Sequence, residues 1–132
     1  TIRLKGPPRY MAFALFAGYF WLSLAGALLI LHGALDAGFI FDATWHALFV
    51  GFVFSMVFAH AQIILPALAG VRVTHSWRFY IPLVALHLSL LVRLLGDLSG
   101  EAPIRQLGGL GNGLAIALFL LVLLTSIKRR GR

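Results

Sequence analysis

Four long apolar stretches divide the chain, at about residues 10–31, 44–66, 79–95 and 114–127, with the charged residues gathered between and beyond them. A helix needs roughly 20 predominantly apolar residues to cross a bilayer, and the pattern fits that requirement better than the narrower apolar stripe of a soluble helix. The first stretch is apolar on all sides, with Gly18 and Gly26 as points of close approach. The pattern therefore predicts an all-α fold: a polytopic membrane protein with a four-transmembrane-helix bundle, forming a single transmembrane domain over residues 1–132.

Helix breakers set the expected limits. His32 and Gly33 close the first span, and residues 36–42 form a short acidic loop. Pro66 should end the second span, because its ring removes a donor and disfavours helix at the preceding residue. Residues 67–78 connect the second and third spans, and residues 99–110 read as a loop carrying Glu101, Pro103 and Arg105. Gly108, Gly109, Gly111 and Gly113 cluster before the fourth span, where they permit tight turning or close helix contact.

Composition agrees with the pattern. Of 132 residues, 61% are hydrophobic and only 11% charged, against about 25% charged in soluble domains. The net charge of +7 sits beside apolar spans, so lipid, not nucleic acid, is the partner it implies. Arg3, Lys5, Arg9, Arg72, Arg78, Lys128, Arg129, Arg130 and Arg132 fall on the side of the termini. Asp36, Asp42, Asp97 and Glu101 fall on the other. The positive-inside rule then places both termini in the cytoplasm, in the inner (plasma) membrane of a bacterium or archaeon. Zero cysteines exclude disulfides, thiolate metal sites, iron–sulfur clusters and covalent c-type haem.

The candidate chemistry lies in the histidines. His46 and His60 are fourteen residues apart on the second span. In a regular α-helix that separation returns to within about 40° of the same direction and travels roughly 21 Å. His32 ends the first span near His46, and His87 lies near the depth of His60, which suggests the pairs His32–His46 and His60–His87. A haem iron held by two imidazoles needs one histidine from each of two facing helices. One or two b-type haems are the cofactors this spacing points to, and copper is the other metal such ligands accept. Neutral histidines hydrogen-bonding between helices are the plainer alternative. His75 falls in the cytoplasmic connection.

Arg93 and Asp97 stand at i, i+4 and can pair. Arg93 is also placed to hold a haem propionate or to snorkel to the interface. Met56 is a conceivable soft ligand but more commonly a packing residue. Trp21 is expected inside the first span, Trp45 and Trp77 at interfaces.

The run Trp45-His46-Ala47-Leu48, Gly51-Phe52-Val53, Met56-Val57-Phe58-Ala59-His60 and Leu65-Pro66 resembles a helix of the NnrS family of haem- and copper-associated membrane proteins. More remotely it is similar to the histidine helices of subunit I of the haem–copper oxidases and nitric oxide reductases. The resemblance spans about residues 45–70. It implies a low-spin-type haem ligand at His46, and Thr44 stands where the other histidine of a His-x-His pair would be, which argues against a high-spin catalytic haem.

Three functions follow as expectations. The leading one is a b-type haem-binding protein in electron transfer or nitric-oxide-linked redox metabolism, with cofactor or metal contacts at His46, His60, His87, His32 and Arg93. The second is a non-enzymatic membrane anchor or subunit, homo-oligomeric or part of a larger complex. The third is a small transporter or proton conductor using His60, His87 and Arg93. No hydrolytic triad or phosphate-binding loop is present, so an electron-transfer or accessory subunit fits better than a self-contained enzyme.

Overall fold

The computed structural model describes residues 5–33 and 36–128. Four helices among them are long and apolar enough to cross a membrane: α1 (Pro7–His32), α2 (Phe39–Ala69), α3 (Trp77–Ser99) and α4 (Ala102–Ser126). Two residues of β1 (Arg72–Val73) pair antiparallel with two of β2 (Ile127–Lys128), Arg72 opposite Lys128 and Val73 opposite Ile127. This small ladder ties the α2–α3 connection to the end of α4.

Helix α1 starts on Pro7 and Pro8, whose fixed φ suits the first turn and whose missing N–H groups would have no helical partner there. It stops at Gly33, whose N–H still bonds the Leu29 carbonyl and whose φ of 72° turns the following chain out of the helix. Its buried residues, Tyr10, Ala14, Gly18, Trp21 and Ala25, form one stripe. The other faces carry outward-pointing apolar side chains such as Phe16 and Ile30.

Helix α2 departs from the expected limits at both ends. It begins at Phe39 and runs through Pro66 to Ala69, where Gly70 in the left-handed region (φ 63°) ends it. A proline late in a helix removes only one donor, so the last turn survives. Within α2, Ala47–Val53 is π-helical. The buried positions Ala43, Ala47, Gly51, Ser55 and Ala59 recur every fourth residue. In a regular α-helix sixteen residues at that spacing would drift by about 160°. The wider π turns slow the rotation and keep all five facing the bundle.

Helix α3 opens with a 3₁₀ turn, Trp77–Phe79, and ends at Gly100 with φ 73°. Helix α4 starts at Ala102, not near residue 114, so residues 102–110 of the segment that reads as a loop form about its first two and a half turns. Two of the glycines that suggest a loop, Gly108 and Gly111, serve contact between helices, as does Gly96 of α3. A Cβ at Gly108 would strike the Arg93 backbone, one at Gly96 the Arg105 backbone, and one at Gly111 would lie 2.6 Å from the Ser89 Cβ. Helices α3 and α4 therefore meet almost backbone to backbone.

The interior has two parts. Toward the β1–β2 end lie Tyr10, Ala14, Phe58, Ala59, Phe79, Leu83, Leu86, Ala115, Phe119 and Leu123, with Phe58 stacked on Phe119 at 3.8 Å between ring centroids. Toward the opposite end lie Trp21, Ala25, Ala43, Ala47, Leu90 and Leu94.

Candidate functional site

The end of the bundle remote from the β ladder holds four charged side chains closed on one another. Asp97 of α3 is fully buried. It accepts from Arg105 Nε on Oδ1 at 2.8 Å and from Arg93 Nε on Oδ2 at 3.3 Å. The Arg105 guanidinium reaches on to Asp42 of α2, and Arg93 Nη2 lies 4.0 Å from the same carboxylate oxygen. Arg93 Nη1 donates to the Arg105 carbonyl at 3.1 Å, and Arg105 rests over the Phe39 ring at 4.8 Å. Two carboxylates and two guanidiniums make a formally neutral quartet joining α2, α3 and α4. The Arg93–Asp97 pair forms as its i, i+4 spacing predicts, and Arg93 turns inward to it instead of outward to the interface.

The sequence pattern places Asp42 and Arg105 in loops and so does not reveal their part in this cluster. The available signal was charge balance: Asp42, Arg93, Asp97 and Arg105 all lie near span ends on one side.

A second polar contact crosses the bundle higher in α1. Trp21 lies against Gly51, where any Cβ would collide with the indole. Its Nε1–H donates to His87 Nδ1 at 2.9 Å, with the two rings nearly parallel. An indole can only donate, so His87 Nδ1 is the acceptor and the proton sits on Nε2. That Nε2–H is buried without a protein partner. In this arrangement His87 offers no Nε2 lone pair to a metal. Nearby, Ser89 Oγ donates to Asn112 Oδ1 at 2.7 Å between α3 and α4.

The two histidines of α2 do not share a face. His46 comes one residue before the buried stripe at Ala47, and His60 one residue after it at Ala59, which sets them roughly 160° apart around the helix. The π segment is the reason: the expected coincidence assumed uniform α-helical rotation. His46 Nδ1–H donates to the Asp42 carbonyl at 2.7 Å, and His60 Nδ1–H to the Met56 carbonyl at 2.8 Å. Each therefore carries its lone pair on Nε2, the tautomer that ligates metals and accepts hydrogen bonds.

His60 lines an open groove of about 490 Å³ with Met56, Val57, Ile64, Leu68 and Leu123. His32 is exposed in the last turn of α1. His60 thus faces this groove while His87 faces Trp21, and the two are not hydrogen-bonded to each other. Among the described residues, no three of His, Asp and Glu gather as a metal-binding set.

At the other end, His75 Nδ1–H donates to Gln62 Oε1 at 2.7 Å and stacks on Phe79. Burial draws its pKa below the ordinary imidazole value.

Comparison with known proteins corrects one expectation. The second span's likeness to NnrS-type and haem–copper oxidase helices is not supported, since no match to those families was found. A short apolar helix with two histidines and a terminal Leu-Pro has too few constrained positions to identify a family. No curated protein and no solved structure matches the chain. The family description "Domain of unknown function (DUF8744)" matches residues 1–128, and the chain belongs to that family.

Proposed function

We propose that the chain is an integral membrane protein that crosses the plasma membrane four times with both termini in the cytoplasm, and that it serves as a non-enzymatic membrane-embedded subunit. One observation carries this reading. The two acids and two arginines near one end of the bundle satisfy each other, while all four helices turn large apolar side chains outward, among them Phe16, Leu68, Leu95 and Leu107. Charges neutralised in a closed cluster serve to fix helix positions at the edge of the hydrocarbon, where a buried unpaired charge would be expensive. The aromatic and aliphatic cluster around Phe58, Phe79 and Phe119 separates that quartet from the polar groups at the other end, which weighs against a continuous proton path.

Haem ligation is the second reading, favoured by the free Nε2 lone pairs of His46 and His60. With His46 and His60 on opposite flanks of α2, each would need its second ligand from a different neighbour, another copy or another subunit.

Topology is tested with single cysteines introduced at Ala37 and Ser76 of a chain that has none of its own. In intact cells, an impermeant maleimide should label the first and not the second, and carbonate washing should leave the protein in the membrane. An absorbance spectrum of the purified protein separates the two functional readings. A dithionite-reduced b-type α-band at one or more haems per chain would overturn the non-cofactor reading, and its absence after haem supplementation would remove the second.

A further inference from the structure

The His60 groove has a chemistry of its own. A carbonyl oxygen can only accept, so the bond to the Met56 carbonyl fixes the proton on Nδ1 and leaves Nε2 as an acceptor. The groove around it is otherwise apolar: Met56, Val57, Ile64, Leu65 and Leu68 from α2, and Leu123 from α4. Given the membrane reading above, on which this inference rests, depth decides what can meet that acceptor. The 31 residues of α2 extend about 46 Å at 1.5 Å each, so the helix centre falls near Phe54. His60 lies six residues on, about 9 Å from the midplane and inside the roughly 15 Å half-thickness of hydrocarbon. Water is scarce at that depth, and an acceptor left alone there is unfavourable.

We propose that the groove between α2 and α4 binds a membrane quinol, with a ring hydroxyl donating to His60 Nε2. The ligand must arrive through the bilayer, because the groove opens on an apolar helix surface. It must bring an O–H donor several ångströms below the interface, where the headgroups and glycerol backbone of ordinary lipids do not reach. An aromatic dihydroxy head on an isoprenoid tail meets both conditions. The Met56 thioether suits an aromatic ring edge, and the ridge of Val57, Ile64 and Leu68 offers a track for the tail. The volume of about 490 Å³ falls within the range of about 300–1,000 Å³ typical of small-molecule sites.

Redox state is the discriminating variable. A quinol donates to Nε2, whereas its quinone and its dimethyl ether cannot. The test is anaerobic equilibrium binding of decylubiquinol, decylubiquinone and the bis-O-methyl ether of decylubiquinol to the full chain in phospholipid nanodiscs. Saturable binding at one per chain is expected, with the quinol held about fivefold to tenfold more tightly than the other two, the ratio one hydrogen bond commands.

His60→Leu should erase that preference, and His60→Gln, which keeps an acceptor, should recover part of it. Leu123→Trp enlarges the α4 side chain that lines the groove and should abolish saturable binding. Equal binding of quinol and ether to the unaltered chain overturns the proposal, as does a preference that survives His60→Leu. A stoichiometric b-type haem spectrum lost on His60→Leu also overturns it, since iron would then own Nε2. Carbonate extraction of the cell membranes from which the protein is purified reports separately on membrane insertion, so failure of that reading is distinguishable from failure of this one.

Discussion

Replacing Asp97 by Asn keeps the shape of the side chain and removes its charge. Asp97 is fully buried and accepts from both arginines, at 2.8 Å and 3.3 Å. In the variant one amide oxygen can still accept, but the amide nitrogen becomes a donor aimed at a guanidinium. Two cations then face only Asp42, and the quartet carries a net positive charge away from water. Breaking a buried pair by removing one partner costs about 3–5 kcal/mol, because the remaining charge is uncompensated. Asp42→Asn is the control. That carboxylate is 35% exposed, and partly solvated pairs contribute about 0.2–1 kcal/mol.

The assay is reversible unfolding in mixed micelles with increasing sodium dodecyl sulfate, followed by tryptophan fluorescence. Asp97→Asn should lose several times the stability that Asp42→Asn loses. A double-mutant cycle of Asp97→Ala with Arg105→Ala should fall well short of additive, since the second change removes the orphan left by the first. Equal effects at Asp42 and Asp97, or an additive cycle, would refute the claim that burial of the quartet governs its energetics.

Gly108→Val should destabilise by about 1–3 kcal/mol or prevent folding through overpacking, since its Cβ meets the Arg93 backbone. Gly113→Ala, with open space around it, should be neutral or gain up to about 1 kcal/mol of helix propensity, and the same unfolding assay compares them. Trp21→Phe should cost about 1–3 kcal/mol by leaving His87 Nδ1 without its donor. The pH dependence at His75 has a definite sign. Its folded pKa lies below the ordinary 6.5, so between the two values the unfolded chain binds more protons. Stability is full above about pH 6.5 and falls as pH drops toward the folded value, and His75→Gln should flatten that slope in unfolding midpoints measured from pH 5 to 8.

How far the molecule could be read from its sequence depended on the range of each signal. Apolar stretches long enough to cross a bilayer located all four helices, because length and hydropathy are local properties. The Arg93–Asp97 pair was equally legible, since one helical turn separates its members. The four glycines near Arg105 mimic a loop in the sequence, whereas in the structure two of them, Gly108 and Gly111, let α4 lie against α3. Pro66 does not end α2, because a helix loses only one donor at a proline and can end a turn later.

The histidines show where such reading stops. Their identity and place along each helix follow from the sequence, but the direction each ring faces depends on helical phase. A π segment of seven residues in α2, seated where Trp21 packs on Gly51, rotates His60 away from the face of His46. No local pattern encodes that, because the wider turn serves a contact with a residue from another helix. The sequence by itself determined four apolar helices and an asymmetry of charge between the two ends. Only the tertiary structure decided which charges neutralise each other, which imidazole accepts from Trp21, and which keeps a free lone pair over the α2–α4 groove, since those outcomes depend on close approach between helices distant along the chain.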